Sequence, residues 1–129
     1  MGTITTGLCN SFKLECLQGV HVFGTDIFKA ALIIPSPTAS FGAASTNYAD
    51  LGADEVIGVG YTAGGVILTG VAASLSSGVA IVTCDGPSWP AAIFNARGVM
   101  IYNSSKSGKA VALYDFGVDI TDSNGPFLL

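Results

Sequence analysis

The sequence predicts a mainly β protein, a small antiparallel β-sandwich or barrel with a short N-terminal helix. Three observations support this class. Apolar and β-branched runs of strand length recur along the chain, glycine-rich turns separate them, and only residues 8–18 show helical periodicity. The 129 residues suit one domain, so we expect a single β-rich domain over residues 1–129.

The N-terminal segment, residues 1–19, is expected to form an arm that contains a short amphipathic helix. Within residues 8–18 the apolar side chains recur at the spacing of one helical face, at Leu8, Cys9, Phe12 and Cys16. Gly19 is expected to end this helix, because glycine adopts the left-handed conformation of a helix C-terminus at no steric cost.

Short strands and turns fill the rest of the chain. Residues 36–54 are predicted to be a long ordered loop with one helical turn near 48–51, and loops of this length are usually functional. A hairpin loop is expected at 104–108 and a turn in the tail at 122–125. Strands are predicted at 27–34, 66–71, 79–84, 89–95, 98–102 and 109–116, with a brief extended piece at 20–23.

The chain carries unusually little charge. Only 11% of its residues are charged and 50% are hydrophobic, whereas an ordinary soluble domain has roughly 25% charged residues. We therefore expect part of the apolar surface to be covered by a partner, most simply another copy of the chain. The net charge of −4 and the absence of a basic stripe disfavour nucleic-acid binding.

No charged residue lies between Glu55 and Asp85. Within this stretch, residues 66–84 are long enough to cross a membrane as a helix. Glycine and serine interrupt the apolar run, however, and both flanks are acidic, which favours two strands joined at residues 76–78. A membrane span remains a weaker alternative, and the adjacent carboxylates Asp54 and Glu55 are expected to lie in a solvated turn.

The three cysteines leave several pairings open. On the predicted helix, Cys9 and Cys16 would lie about 10 Å apart, which is too far for a disulfide. Cys84 could pair with either one, and the odd count also permits an intersubunit bridge. Buried free thiols are the favoured interpretation. Because the chain has no C-x-x-C pair, no metal site is expected.

The sequence gives little support for catalysis or for a cofactor. His21 is the only histidine and lies between two valines, so we expect a structural role for it. Residues 58–63 match G-x-G-x-x-A, but β-branched residues rather than a helix follow them, so no cofactor is expected. We instead predict a structural turn made by Gly58, Gly60, Gly64 and Gly65.

Arg97 is the only charged residue between Asp85 and Lys106. In a β protein an isolated charge of this kind usually finds a cross-strand partner. The expected partner is Asp85 or Asp115, and the Arg97–Asp115 pair is the preferred prediction; the alternative is that Arg97 anchors a contact with another subunit.

Several segments together resemble a family of small virion structural proteins of tailed bacteriophages. They cover about 100 residues in the same order, and the G-Y-T-A-G-G element at 60–65 is the most specific of them. The others are F-G-T-D with K-A-A-L, A-R with V-M-I-Y, L-Y-D-F-G, and D-I-T-D-S-N-G before a phenylalanine, at 23–26, 29–32, 96–97, 99–102, 113–117 and 119–125.

The resemblance implies a non-enzymatic, oligomeric virion component that is assembled in the host cytoplasm. Our main hypothesis is a capsid decoration, or cement, protein that forms a trimer and binds the major capsid protein. The N-terminal segment and the loop 36–54 are its expected contacts. The alternative is a head- or tail-fibre module for host recognition, which would expose the aromatic residues Trp89, Tyr48 and Tyr61 on loops.

Overall fold

A computed structural model describes residues 2–128, and the side chains of residues 2–89 and 92–121. The chain is mainly β and antiparallel with one short helix near the N-terminus, which confirms the predicted class. Within these residues the main sheet stays open. The elements are β1 (Gly7–Leu8), α1 (Asn10–Leu17), β2 (Phe28–Ile33), β3 (Val66–Ile67), β4 (Ala72–Ser76), β5 (Val79–Thr83), β6 (Ser88–Asn103) and β7 (Lys109–Leu128).

Five strands form the main sheet in the order β1-β7-β6-β2-β3, and β4 pairs only with β5. The helix α1 forms where the sequence predicts it, but it is less amphipathic than expected. Phe12 is its only buried residue, whereas Leu14 and Leu17 are exposed. The predicted strand at 66–71 is shortened to β3, and no strand forms at 20–23.

The hairpin of β6 and β7 dominates the sheet and corrects two predictions. The strands predicted at 89–95 and 98–102 are one strand, with a register shift between Ala96 and Gly98. The turn predicted at 122–125 is also wrong, because these residues continue β7 and pair with β6. Backbone pairing with the neighbouring strand here outweighs the turn preference of aspartate, asparagine and glycine.

The two faces of the main sheet are covered differently. Side chains alternate between faces along a strand, and directly paired residues share a face. We call closed the face that carries Ala31, Met100, Tyr102 and Leu113, and open the face that carries Val99, Ile101, Ala112 and Tyr114.

The start of the N-terminal segment, around Ile4, and residues 36–65 cover the closed face, whereas α1 lies at the open face. Ile4 lies against Gly98 and Tyr48 stacks on Tyr102, with ring centroids 4.5 Å apart. Phe41 and Leu51 are buried in the core. The expected long loop is therefore ordered, and it contains two 3₁₀ turns, Tyr48–Asp50 and Gly52–Asp54.

Candidate interaction surface

The hairpin of β4 and β5 is the most exposed element of the described structure. Its strands pair in register from Ala72 opposite Thr83 to Ser76 opposite Val79, and all ten residues are exposed. Ser77 and Gly78 close it in the left-handed conformation, with φ of 49° and 81°, as a two-residue hairpin turn requires.

This hairpin bears out the two-strand interpretation of the uncharged stretch. Among the described residues, no helix is long and apolar enough to cross a membrane. Asp85 closes the base of the hairpin, because its backbone N–H donates to the Thr69 carbonyl oxygen at 2.8 Å and its carboxylate accepts from the Thr69 hydroxyl at 3.1 Å.

An open apolar groove of about 820 Å³ separates this hairpin from the main sheet. Its walls are the open face, the helix α1 and the inner side of the hairpin, represented by Ile101, Phe12 and Val82. Of the described residues that line it, only Asp115 is charged. A protein interior seldom leaves apolar voids larger than a water molecule, so this groove is suited to receive another molecule.

The inner side of the hairpin is entirely apolar. Ala73 pairs with Val82, and Leu75 pairs with Ala80, so these four side chains share one face. Ala73, Ala80 and Val82 line the groove, and Leu75 continues the same face toward the turn with 74% of its surface exposed. Ile81, from the other face of the hairpin, also reaches the groove lining.

All three cysteines are free, and two of them lie in the groove. Cys16 and Cys84 are exposed and line it, so the prediction of buried thiols is wrong for both. Cys9 is buried, and burial, followed by the charges of Glu15 and Asp50, raises the pKa of its thiol to about 11. The cysteines therefore form no disulfide within the chain.

The closed face is held by Glu55, which is buried rather than solvated. Its carboxylate accepts hydrogen bonds from the Tyr48 hydroxyl at 2.6 Å, the Tyr61 hydroxyl at 2.5 Å and the Gly64 backbone N–H at 2.8 Å. The Tyr102 hydroxyl donates to the Gly64 carbonyl oxygen at 2.5 Å. Burial raises the pKa of all three tyrosines. Glu55 raises the pKa further, first through its hydrogen bonds for Tyr48 and Tyr61 and through its charge for Tyr102, whose pKa reaches about 12.

Asp54 is buried as well, so the solvated turn expected for these two carboxylates is wrong. Its oxygens accept hydrogen bonds from the Thr38 backbone and hydroxyl and from the Ala39 N–H, at 2.9 to 3.1 Å. Burial alone would raise the pKa of Asp54, but these hydrogen bonds outweigh it and lower the pKa. Asp54 thereby ties one end of the long loop to the other.

The predicted glycine turn occupies residues 58–65 and has a steric basis. A Cβ on Gly65 would lie 1.8 Å from the Ala30 carbonyl oxygen, and one on Gly58 would lie 2.8 Å from the Ile93 carbonyl oxygen. Gly60, Gly64 and Gly65 have positive φ. The turn leads directly into β3, so the G-Y-T-A-G-G element seats this loop on the sheet.

His21 has partners on both ring nitrogens. Nε2 lies 2.9 Å from Glu15 Oε1, and Nδ1 lies 2.9 Å from Asn103 Nδ2. The Asn103 amide also donates to Asp26, so its NH₂ group faces the ring and Nδ1 accepts from it. With both nitrogens engaged in this way, His21 faces neither a serine nor a cysteine nucleophile.

Arg97 forms the ion pair that the sequence suggested. Its Nε lies 2.9 Å from Asp115 Oδ1, and its Nη1 lies 3.2 Å from Asp119 Oδ1. A hydrogen bond from the Gly117 N–H, and then Arg97, lowers the pKa of Asp115. Asp85, the other candidate partner, instead binds Thr69 at the base of the hairpin.

The aromatic residues expected to be exposed on loops are buried or partly buried. Trp89 is on β6 and is 1% exposed, while Tyr48 and Tyr61 are partly buried against Glu55. In the described part of the chain, no group of three or more histidine, cysteine or acidic residues is placed to hold a metal ion. Comparison with protein families, with curated proteins and with solved structures finds no significant match to this chain.

The groove and the cluster around Glu55 were not predicted from the sequence. The groove depends on the distance between the hairpin and the sheet, and no local pattern encodes that distance. The Glu55 cluster had a weak signal, because Glu55 is the last charge before a long neutral stretch and two tyrosines lie within seven residues of it.

Proposed function

We propose that this chain is a non-enzymatic structural protein of a tailed-bacteriophage virion. Its role is that of a capsid decoration protein that associates with itself and with the major capsid protein. The observation that carries the assembly role is the apolar groove and its fully exposed hairpin in a single copy. The resemblance of the G-Y-T-A-G-G element and its neighbours to phage virion proteins supports the virion as the place of assembly.

The energetics favour association through this surface. Burying a valine, leucine or isoleucine side chain contributes about 1.5–3 kcal/mol, and association costs about 4–15 kcal/mol. Each copy offers several large apolar side chains on the hairpin and the groove that are at least a third exposed: Leu8, Leu75, Val79, Ile81, Val82 and Tyr114. Covering them in two or more copies offsets that cost.

The proposed contact matches the sequence expectation only in part, because Leu8, Phe12 and Cys16 of the N-terminal segment line the groove and the loop 36–54 does not. Ile4, Phe41 and Leu51, from the N-terminal segment and the loop 36–54, are buried within the chain. Ile4 and the loop 36–54 thus hold the closed face, and the hairpin and the groove with its α1 wall are left to contact other proteins. The fibre alternative ranks below decoration, because Trp89 is buried and neither Tyr48 nor Tyr61 is a freely exposed loop aromatic.

Quantitative mass spectrometry of purified virions whose genome encodes this chain tests the proposal. A decoration protein is expected at hundreds of copies per particle, in a fixed ratio to the major capsid protein. A dozen or fewer copies would support the fibre alternative, and the absence of the chain from the particle would overturn the proposal. Adding the purified chain to particles that lack it should restore that ratio.

A further inference from the structure

We propose that the groove is filled by the β4–β5 hairpin of a second copy of this chain, so that the copies exchange hairpins. This inference deepens the proposed function and rests on its self-association. The occupant is the hairpin defined above, Ala72–Ser76 with Val79–Thr83. The receiving surface is the groove between the open face, α1 and the hairpin of the neighbouring copy.

The first support is that the hairpin lacks cover in a single copy. A two-stranded hairpin is marginally stable in water unless it packs on another layer. Here all ten strand residues are exposed, including Leu75, Val79 and Val82. A hairpin with these side chains gains stability when its apolar inner side meets a second apolar surface.

The second support is the size of the groove. Twenty of the residues that the structure describes line it, and a stable interface engages about 20–30 residues on each side. The groove is therefore wide enough to receive a secondary-structure element. It is bounded by strands on two sides, which suits a flat insert such as another hairpin.

The third support is the match in charge. The hairpin lies within the stretch between Glu55 and Asp85 that contains no charged residue, and Asp115 is the one charge among the described lining residues. A charged partner segment would lose hydration on entering this groove and find no opposite charge. A neutral hairpin enters without that cost, and every copy carries one.

The fourth support is the free strand edges. Among the described residues, each strand of the hairpin pairs only with the other, so the outer edges of β4 and β5 present unpaired backbone groups. Such edges readily pair with the strand of another chain. Two hairpins inserted between two sheets can pair edge to edge, so that their unpaired backbone groups form hydrogen bonds. The same insertion buries their apolar sides.

Sedimentation analysis of two matched variants tests hairpin exchange. Leu75→Asp places a charge on the inner side of the hairpin. Ile57→Asp places the same charge at a site outside the groove lining that is 90% exposed. We expect wild type and Ile57→Asp to form oligomers, and Leu75→Asp to associate about 100-fold more weakly because a charge would be buried. Circular dichroism should show that both variants stay folded.

A mixing experiment assigns the hairpin to the groove of another copy. Tyr114→Lys places a charge on the open face, and we expect it to be monomeric like Leu75→Asp. An equal mixture should associate again, because the intact hairpin of one variant fits the intact groove of the other. Failure of the mixture to associate, or equal effects of Leu75→Asp and Ile57→Asp, would overturn the inference.

The outcomes separate this inference from the proposed function. A wild-type chain that stays monomeric in solution but decorates virions would overturn hairpin exchange and make a capsid subunit the occupant, while the virion role stands. A chain that exchanges hairpins but is absent from virions would overturn the virion role and leave hairpin exchange standing.

Discussion

The apolar side chains on the two faces of the main sheet are covered in different ways. On the closed face, a loop from the same chain covers the apolar side chains, and a buried carboxylate joins two tyrosines and a backbone N–H. On the open face, the helix α1 and the hairpin β4–β5 stand away from the sheet and leave a groove of about 820 Å³. One face is completed within the chain, and the other is available to a partner.

The difference lies in where each covering segment is anchored. The loop on the closed face is fixed along its length by Asp54, Glu55 and close glycine contacts. The hairpin on the open face is fixed mainly at its base, where Thr69 contacts Asp85. Buried carboxylates thus fix the position of the loop on the closed face. The hairpin comes from a stretch without charged residues, so only contact with another molecule can fix its position on the open face.

The largest loss of stability is expected from adding a side chain at Gly65. In Gly65→Ala, the new Cβ would lie 1.8 Å from the Ala30 carbonyl oxygen, and the φ of +81° is itself unfavourable for alanine. We expect a loss of more than about 4 kcal/mol in the free energy of unfolding, measured by urea denaturation. Release of the loop from β2 should accompany it.

Gly19→Ala is the matched control for this prediction. Gly19 also has positive φ, at +73°, but a Cβ there meets nothing within 4 Å. Its cost should be near 1 kcal/mol, the price of the left-handed conformation alone. Equal losses for the two variants would show that the close contact between Gly65 and Ala30 of β2 does not stabilise the closed face.

The second largest effect is expected in thiol reactivity, which should differ between the groove and the interior. Cys16 and Cys84 line the groove, and Cys9 is buried. Because the pKa of Cys9 is raised from 9.0 to about 11, its thiolate fraction falls about a hundredfold near neutral pH. Burial also raises the pKa of Cys16 and Cys84, but both side chains are exposed. In dilute, monomeric Leu75→Asp, a maleimide should therefore label these two quickly and the buried Cys9 at least about tenfold more slowly.

The double variant Cys16→Ser with Cys84→Ser is the control for this experiment. It should react only after unfolding, whereas Cys9→Ser should keep both fast thiols. Hairpin exchange adds a further expectation, because Cys16 and Cys84 should become protected in the wild-type oligomer. Rapid labelling of Cys9 in the folded chain would contradict the burial of that thiol.

The sequence predicts the secondary structure better than it predicts the surface. Helix α1, strand β2 and the hairpin turn at Ser77–Gly78 follow from local periodicity and turn preferences, and all three are present. The length of β6 and β7 does not follow from the local sequence. The residues between 95 and 98 suggest a break and residues 122–125 suggest a turn, but pairing between the two strands outweighs both preferences.

The candidate site was predictable only in part. Low charge indicates that apolar surface needs a partner, but it does not say which surface, since the same composition would fit an exposed loop 36–54. The three-dimensional arrangement decides this, because Phe41 and Leu51 turn inward while Leu75 and Val82 do not. Likewise, Glu55 is recognisable as a buried carboxylate only once Tyr48 and Tyr61 are seen to surround it.

The tyrosines around Glu55 give the closed face a dependence on alkaline pH. A tyrosine whose pKa is raised by folding stabilises the native state fully below its unfolded pKa of about 10. This stability is lost as the pH rises toward the folded value, about 12 for Tyr102 and higher than usual for Tyr48 and Tyr61. The free energy of unfolding should therefore fall steeply from about pH 9 to about pH 12.

Tyr61→Phe should both weaken the fold and flatten this dependence. Its hydroxyl donates to Glu55 and accepts from the Leu32 N–H at 3.0 Å, so its loss should cost about 2–3 kcal/mol near neutral pH. Tyr114→Phe, on the open face, is the control, and it should keep the wild-type slope. Parallel slopes for wild type and Tyr61→Phe would contradict a role for this hydroxyl in alkaline unfolding.

The smallest effect is expected from Arg97, whose pairing with Asp115 and Asp119 is partly exposed. Surface ion pairs contribute little, and salt screens them. Arg97→Gln should lower the melting temperature slightly at low salt, and the difference should vanish at high salt. Gln18→Ala, on the exposed C-terminal end of α1, is the salt-independent control. A large, salt-independent loss in Arg97→Gln would mean that this side chain supports the β6–β7 hairpin by packing rather than by charge.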